Sequence, residues 1–307
     1  MSNKNDMICD LETGVCGVAE DKEVELIDFN KQKEEINLYY VTDPICSHCW
    51  ALEPVLNKFI EQYGHYFNMH TVMGGLLESW DGFADVSNGI SKASDVAGHW
   101  KEVGEHSRMP IDGSLWIDDP VHSSYPPSRV FKIIQSMDHS LANVFLRKIR
   151  EAVFVFNKNI AKDDVLITIV NELNLDGEKI VTEAVSESAQ SLLHQDFDLA
   201  RKLGVRGFPT IIMINEENKG VKIVGARTFQ DYVNGLKQVL SSAENINPKP
   251  QPPLSNLLDR GSLLFSKEIE VMYDIDEKDV TSFIKREAEY EKYKLKEILG
   301  EKYFEKK

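Results

Sequence analysis

The stretch that most constrains this 307-residue chain runs from Ile36 to Glu53 and reads INLYYVTDPICSHCWALE. Ile36 to Val41 is apolar and rich in strand formers, and Thr42-Asp43-Pro44 interrupts it. From Trp50 onward Leu52, Val55, Leu56 and Phe59 recur at spacings of three and four, the period of a helix with one buried face. The pattern predicts strand, turn, helix, with Cys46 and Cys49 where the helix begins. A thiol there meets unpaired backbone N–H groups and the positive end of the helix dipole, both of which favour thiolate. Cys46 is therefore expected to be the reactive thiol, with a pKa below the free-cysteine value of about 8.5. Cys49, one turn further on the same face, can attack a mixed disulfide at Cys46 and release the partner. His48 lies between them and is expected to add positive charge.

Other uses of the pair stay open at this point. Cys46 and Cys49 could be core residues, or half of a zinc site completed by Cys9 and Cys16 in ICDLETGVCG. Those two are seven apart, wider than a usual ligand pair, and the histidines other than His48 form no ligand spacing. The strand-to-helix context favours redox use, which calls for no metal and no cofactor. Cys9 and Cys16 stand as a second candidate thiol pair in a polar, acidic leader, residues 1–34, expected to be flexible.

Charge narrows the partners. The chain carries a formal net charge of −15, which repels nucleic acid and anionic membranes, so protein or small-thiol partners are expected. No basic segment followed by an apolar run opens the sequence, and no apolar stretch reaches the length of a membrane span. A cytoplasmic location follows as an expectation; thiols there are held reduced, which favours a transient pair over a structural disulfide.

Phe67 to Met73 reads as a second strand ending in Gly74-Gly75, where the backbone can turn tightly or let a neighbour approach. From about Phe83 to Leu203 the periodicity is helical, and Trp80, Trp100 and Trp116 are expected to be core residues. RKLGVRGFPTIIMINE ends a helix at Gly204, carries Phe208-Pro209 in a loop and makes a strand of Thr210 to Ile214. Lys222 to Val224 is its hairpin partner and Thr228 to Leu240 a closing helix. Asn247 to Pro253, NPKPQPP, reads as an extended linker. Leu254 to Lys307 reads as helical, with 11 basic and 13 acidic residues. Its SKEIEVMYDIDEKDVTSFIKRE superficially matches a helix-turn-helix but has no basic recognition face, so a packing or protein-binding module is expected.

DPICSHCW after a strand, with GVRGFPT before a later one, resembles the DsbA-like thioredoxin-fold family, particularly its FrnE-like dithiol-disulfide isomerases. The resemblance implies an α/β thioredoxin-like core with a large helical insertion, here followed by a C-terminal helical extension. The implied layout is a core of residues 35–82 and 197–245, an insertion of 83–196, a linker of 246–253 and an extension of 254–307. It further implies that Cys46 is the nucleophile, Cys49 the resolving thiol and Pro209 a cis-proline facing them. GGLLESW is FrnE-like, whereas GSLWIDDPVHSSYPPSRVFKIIQ and the extension with SKEIEVMYDI resemble the SpxH adapter branch. That branch implies binding of the transcription factor Spx and its delivery to the protease ClpXP. Thiol-disulfide exchange on client disulfides or small thiols is the alternative. Members of the branch often have a His- and Cys-rich N-terminus; this leader keeps only Cys9 and Cys16.

Overall fold

The computed structural model describes residues 8–10, 15–17, 35–85, 88–240, 246–288 and 290–307. The chain divides into two units, Met1–Lys33 and Glu34–Lys307. In the first, β1 (Ile8–Asp10) and β2 (Val15–Gly17) pair antiparallel, with the backbone of Cys9 opposite that of Cys16. The rest of the leader, on which the expectation of flexibility falls, lies outside the described residues.

The second unit is built on β3 (Ile36–Thr42), α1 (Ser47–Tyr63) and β4 (Phe67–Met73), with β3 and β4 parallel and in register from Ile36 opposite Phe67. Alternation decides which face each residue serves. Ile36, Leu38 and Tyr40 pack under α1, while Tyr39 and Val41 turn to the opposite side. α1 runs through Pro54, which removes one helical hydrogen bond and ordinarily stops a helix. Here Leu52, Leu56 and Phe59 bury against the sheet on both sides of it, and tertiary packing carries the helix through.

Between β4 and β5 come α2 (Val96–Ser107), α3 (Leu115–Asp118), α4 (Tyr125–Met137), α5 (His139–Arg150), α6 (Asp163–Asn171), α7 (Gly177–Glu183) and α8 (Glu187–Lys202). They share an apolar core that includes Trp100, Trp116, Phe131, Phe145 and Phe154, with Trp80 packed at its edge. α5 widens into a π-helical turn at Glu151–Val155. The sheet is completed by β5 (Thr210–Ile214) and β6 (Gly220–Val224) in the order β4-β3-β5-β6, and α9 (Phe229–Val239) packs beside α1 on Tyr232, Val233 and Leu236.

The proline-rich stretch after residue 246 is pinned to the end of α1. Lys249 N–H donates to the Gln62 carbonyl (2.8 Å) and Asn247 N–H to the Tyr66 hydroxyl (3.0 Å). Beyond it the helical expectation is only partly met. α10 (Leu254–Leu258), α11 (Ser266–Tyr273) and α12 (Val280–Glu287) are helices, but β7 (Leu264–Phe265), β8 (Tyr293–Ile298) and β9 (Glu301–Lys306) form an antiparallel sheet in the order β7-β9-β8. Leu299 and Gly300 turn the β8–β9 hairpin with positive φ. Charged residues on most solvent-facing positions hide the alternation; in this hairpin only Tyr293, Tyr303 and Phe304 are buried.

Candidate dithiol site

The site lies where β3 ends and α1 starts. Cys46 is the N-cap of α1, and its Sγ accepts the N–H of Cys49 at 3.3 Å. Both thiols are free and buried, Cys49 completely. Pro209 sits at the same end of the sheet, because Val41 pairs with Thr210 and the residue before Thr210 falls level with Thr42. The Phe208–Pro209 peptide is cis.

The glycine pair after β4 is explained by this loop. A Cβ on Gly74 would lie 2.1 Å from the Phe208 ring, so only glycine lets that ring pack there. Gly74 N–H also donates to the Thr42 carbonyl at 2.7 Å, extending the ladder to the edge of the site. Gly75 has φ +70°, which glycine adopts without strain.

Two buried charges frame the cysteines from below. Asp43 accepts from Ile45 N–H (3.1 Å), from Leu76 N–H (2.8 Å) and from the Ser124 hydroxyl (2.9 Å). It thus ties the cysteine turn, the strand-β4 exit and α4 to one carboxylate. Burial raises its pKa to about 6 in spite of those donors. Arg150, at the end of α5, is fully buried and donates to the Thr42 hydroxyl, to the Asp43 carbonyl (3.3 Å) and to Glu53 Oε1 (2.9 Å).

These neighbours reverse the expectation for Cys46. Burial pushes its thiol up, and its S–H donated to Cys49 and the nearby Asp43 push it further. Burial also opposes ionisation of Cys49, but the Cys46 hydrogen bond, the Arg150 guanidinium and the Thr42 hydroxyl outweigh it and hold Cys49 below its ordinary value. The pair therefore keeps its first negative charge on Cys49, with the Cys46 proton shared toward it. The helix start alone does not decide the matter, since a full cation in a low-dielectric interior outweighs partial charges at a cap.

His48 does not supply the charge expected of it. Its side chain is exposed and packs edge-on against His99, with centroids 5.3 Å apart. Desolvation, His99 and His106 all lower its pKa, so the ring is mostly neutral at neutral pH. The structure brings Cys46, Cys49 and Pro209 to one end of the sheet and turns His48 outward. Asp43, Ser124, Arg150 and Glu53 were missed; Asp43 beside Pro44 carried a signal, but nothing local marks Arg150. No group of acidic, histidine and cysteine side chains arranged to hold a metal occurs among the described residues.

Fold and site together define a thioredoxin-like protein with a DsbA-type helical insertion and a buried dithiol. The family model described as thioredoxin matches residues 39–234. Solved structures share the fold. A candidate protein disulfide isomerase from Nitrosomonas europaea superposes with TM-score 0.55 at 19% identity, over 67% of this chain and 96% of its own. A candidate DsbA oxidoreductase from Streptomyces coelicolor superposes with TM-score 0.53 at 15% identity, over 71% and 97%.

Full-length relatives go further. The ClpXP adapter protein SpxH of Halalkalibacterium halodurans is 30% identical over 278 residues, 89% of this chain and 89% of its own. That of Bacillus subtilis is 30% identical over 262 residues, 83% and 84%. The chain belongs to the SpxH family of thioredoxin-fold proteins.

Proposed function

We propose that this protein is a cytoplasmic adapter that binds the transcription factor Spx and promotes its degradation by ClpXP. The observation that carries this reading is the collinear similarity to SpxH over 89% of both chains, which runs past the linker into the extension. The disulfide isomerase fold, by contrast, is covered to 96% of its length by only 67% of this chain. The adapter match thus takes in chain that the bare fold does not cover. No helix among the described residues is long and apolar enough to cross a membrane, which agrees with a cytoplasmic partner.

The dithiol supports a second activity. In a thiol-disulfide exchange, Cys46 attacks one sulfur of a client disulfide as its proton passes to Cys49. The client S–S bond breaks, one client thiolate leaves, and a mixed disulfide remains at Cys46. Cys49 then attacks Cys46 Sγ and gives its proton to the departing sulfur; the mixed disulfide breaks, the second client sulfur leaves as a thiol, and the chain retains a Cys46–Cys49 disulfide after two electrons have passed to the client.

Purified ClpXP and Spx, with and without the protein, test the adapter reading. Accelerated loss of Spx is expected, retained in Cys46→Ser and abolished when residues 254–307 are removed. An intact protein that neither binds Spx nor changes its half-life overturns it. Turnover of a small disulfide that vanishes in Cys46→Ser would establish exchange, and its absence in the wild type would remove that activity.

A further inference from the structure

The dithiol and the C-terminal extension are joined by a continuous chain of buried charge. Arg150, which donates to the Thr42 hydroxyl and the Asp43 carbonyl at the cysteine turn, holds Glu53 Oε1; the other oxygen of Glu53 is held by Arg147. Arg147 also grips Glu268 through two hydrogen bonds (2.8 and 2.9 Å), donates to the Leu263 carbonyl (2.7 Å) and pairs with Glu151 (2.8 Å). Glu268 caps α11 by accepting from Phe265 N–H at 3.0 Å, and Glu151 accepts from Leu263 N–H at 3.0 Å. The start of α11 is thus fastened to α1 and α5 by charged side chains that pair with one another and with the backbone of Leu263 and Phe265. Trp50, next to Cys49, lies beneath the Arg147 guanidinium (4.7 Å) and edge-on to Phe265 (5.8 Å), giving the same route a packed aromatic core.

We propose that Arg150, Glu53 and Arg147 form a relay in which Arg150 is the positioning residue for Cys49 and the redox state of the dithiol sets how firmly the extension is held. This rests on the redox reading of the pair given above. Oxidation of the thiolate form by a low-molecular-weight disulfide makes the Cys46–Cys49 bond, breaks the S–S bond of the oxidant and releases one small thiol, which takes the Cys46 proton, and one small thiolate, which carries the charge away. A disulfide cannot ionise, so no thiolate charge is left to face Arg150, which holds the cysteine turn through the Thr42 hydroxyl and the Asp43 carbonyl (3.3 Å). Buried charges are costly unless paired, so Arg150 turns more fully to Glu53, Glu53 is drawn from Arg147, and Arg147 is left to bear more fully on Glu268 at the start of α11. Within 13% or less exposure of every member, solvent does little to screen the change. The charged and titratable groups bearing on Cys49 are Cys46, Arg150, Tyr40 and Tyr232, with Asp43 and Glu53 one step removed.

The test uses the full chain carrying Cys9→Ser and Cys16→Ser, reduced or oxidised with hydroxyethyl disulfide, with intact mass reporting the bond and hydrogen exchange reporting residues 263–273. Exchange there should slow by roughly tenfold on oxidation, and Glu53→Gln should remove the difference while the disulfide still forms. In the reduced protein, Arg150→Gln should move the pH midpoint of thiol alkylation upward and Arg150→Lys should restore it, which a purely packing role would not do. A disulfide that forms without altering exchange at residues 263–273 overturns the relay and leaves the redox reading standing. Absence of any disulfide overturns both. Loss of Spx delivery with the exchange difference intact removes the adapter reading alone.

Discussion

The two faces of α1 are held by opposite means. Toward the sheet, Leu52, Leu56 and Phe59 interlock with Ile36, Leu38, Tyr232 and Leu236 in a core without charge. Toward α5 and the extension, Glu53 lies against Arg147 and Arg150. An apolar face is stabilised by area removed from water and tolerates approximate shape, at about 25 cal/mol per Å². A face of buried ion pairs adds little net stability, because desolvation offsets most of the attraction, but it fails sharply when one partner is lost. One helix therefore combines an anchor with a junction whose strength depends on charge.

The comparison is broken most directly by removing one partner from each face. Arg150→Ala should cost about 3–5 kcal/mol, since buried Glu53 loses one of its two cations and the Thr42 hydroxyl and Asp43 carbonyl lose their donor. Phe59→Ala should cost about as much through its cavity. The two differ in repair. Replacing Arg150 by Met and Glu53 by Leu together should recover most of the loss in urea denaturation, because Arg147 keeps Glu151 and Glu268; a double variant as unstable as Arg150→Ala would show that the junction is not a balance of charges.

Asp43 sharpens the picture through pH. Its folded pKa of about 6 lies above the unfolded value of 3.8, so the folded state binds the proton more tightly. Stability should therefore be greatest at low pH for this group and fall by up to about 3 kcal/mol as pH rises from about 4 to about 6. Denaturant midpoints against pH should show that slope, and Asp43→Asn should flatten it; an unchanged slope would assign it to other groups. Smaller again is Gly74→Ala, expected to cost about 1–3 kcal/mol by displacing the Phe208 ring, with Phe208→Ala relieving part of it in the same assay. At the low end stands the half-exposed Arg260–Glu61 pair, 2.7 Å apart. Its removal should change stability by about 0.2–1 kcal/mol, and by less in high salt.

The apolar face was legible and the charged one was not. Leu52, Leu56 and Phe59 announce themselves by spacing, since burial of a helix face imposes its own period on consecutive residues. The strand before them is readable for a like reason, whereas the role of the GFPT loop and the inserted helices came from resemblance to the DsbA-like family and not from periodicity. Arg150 sits among the basic residues of RKIR, which read equally as the exposed end of α5. The β8–β9 hairpin escaped because charged residues occupy most of its solvent-facing positions, leaving too few apolar residues to mark a period of two.

By itself, then, the sequence determined a strand, a turn and a helix with two thiols at its start, a glycine pair after the next strand, a proline loop before a later one, and a further module beyond a proline-rich break. Tertiary structure decided which thiol carries the charge and what the extension is fastened to. The reason is physical. Periodicity is a property of neighbours along the chain, whereas the field at a buried sulfur is set by groups a few ångströms away in low dielectric, and the cation that matters here lies 97 positions from the glutamate it shares.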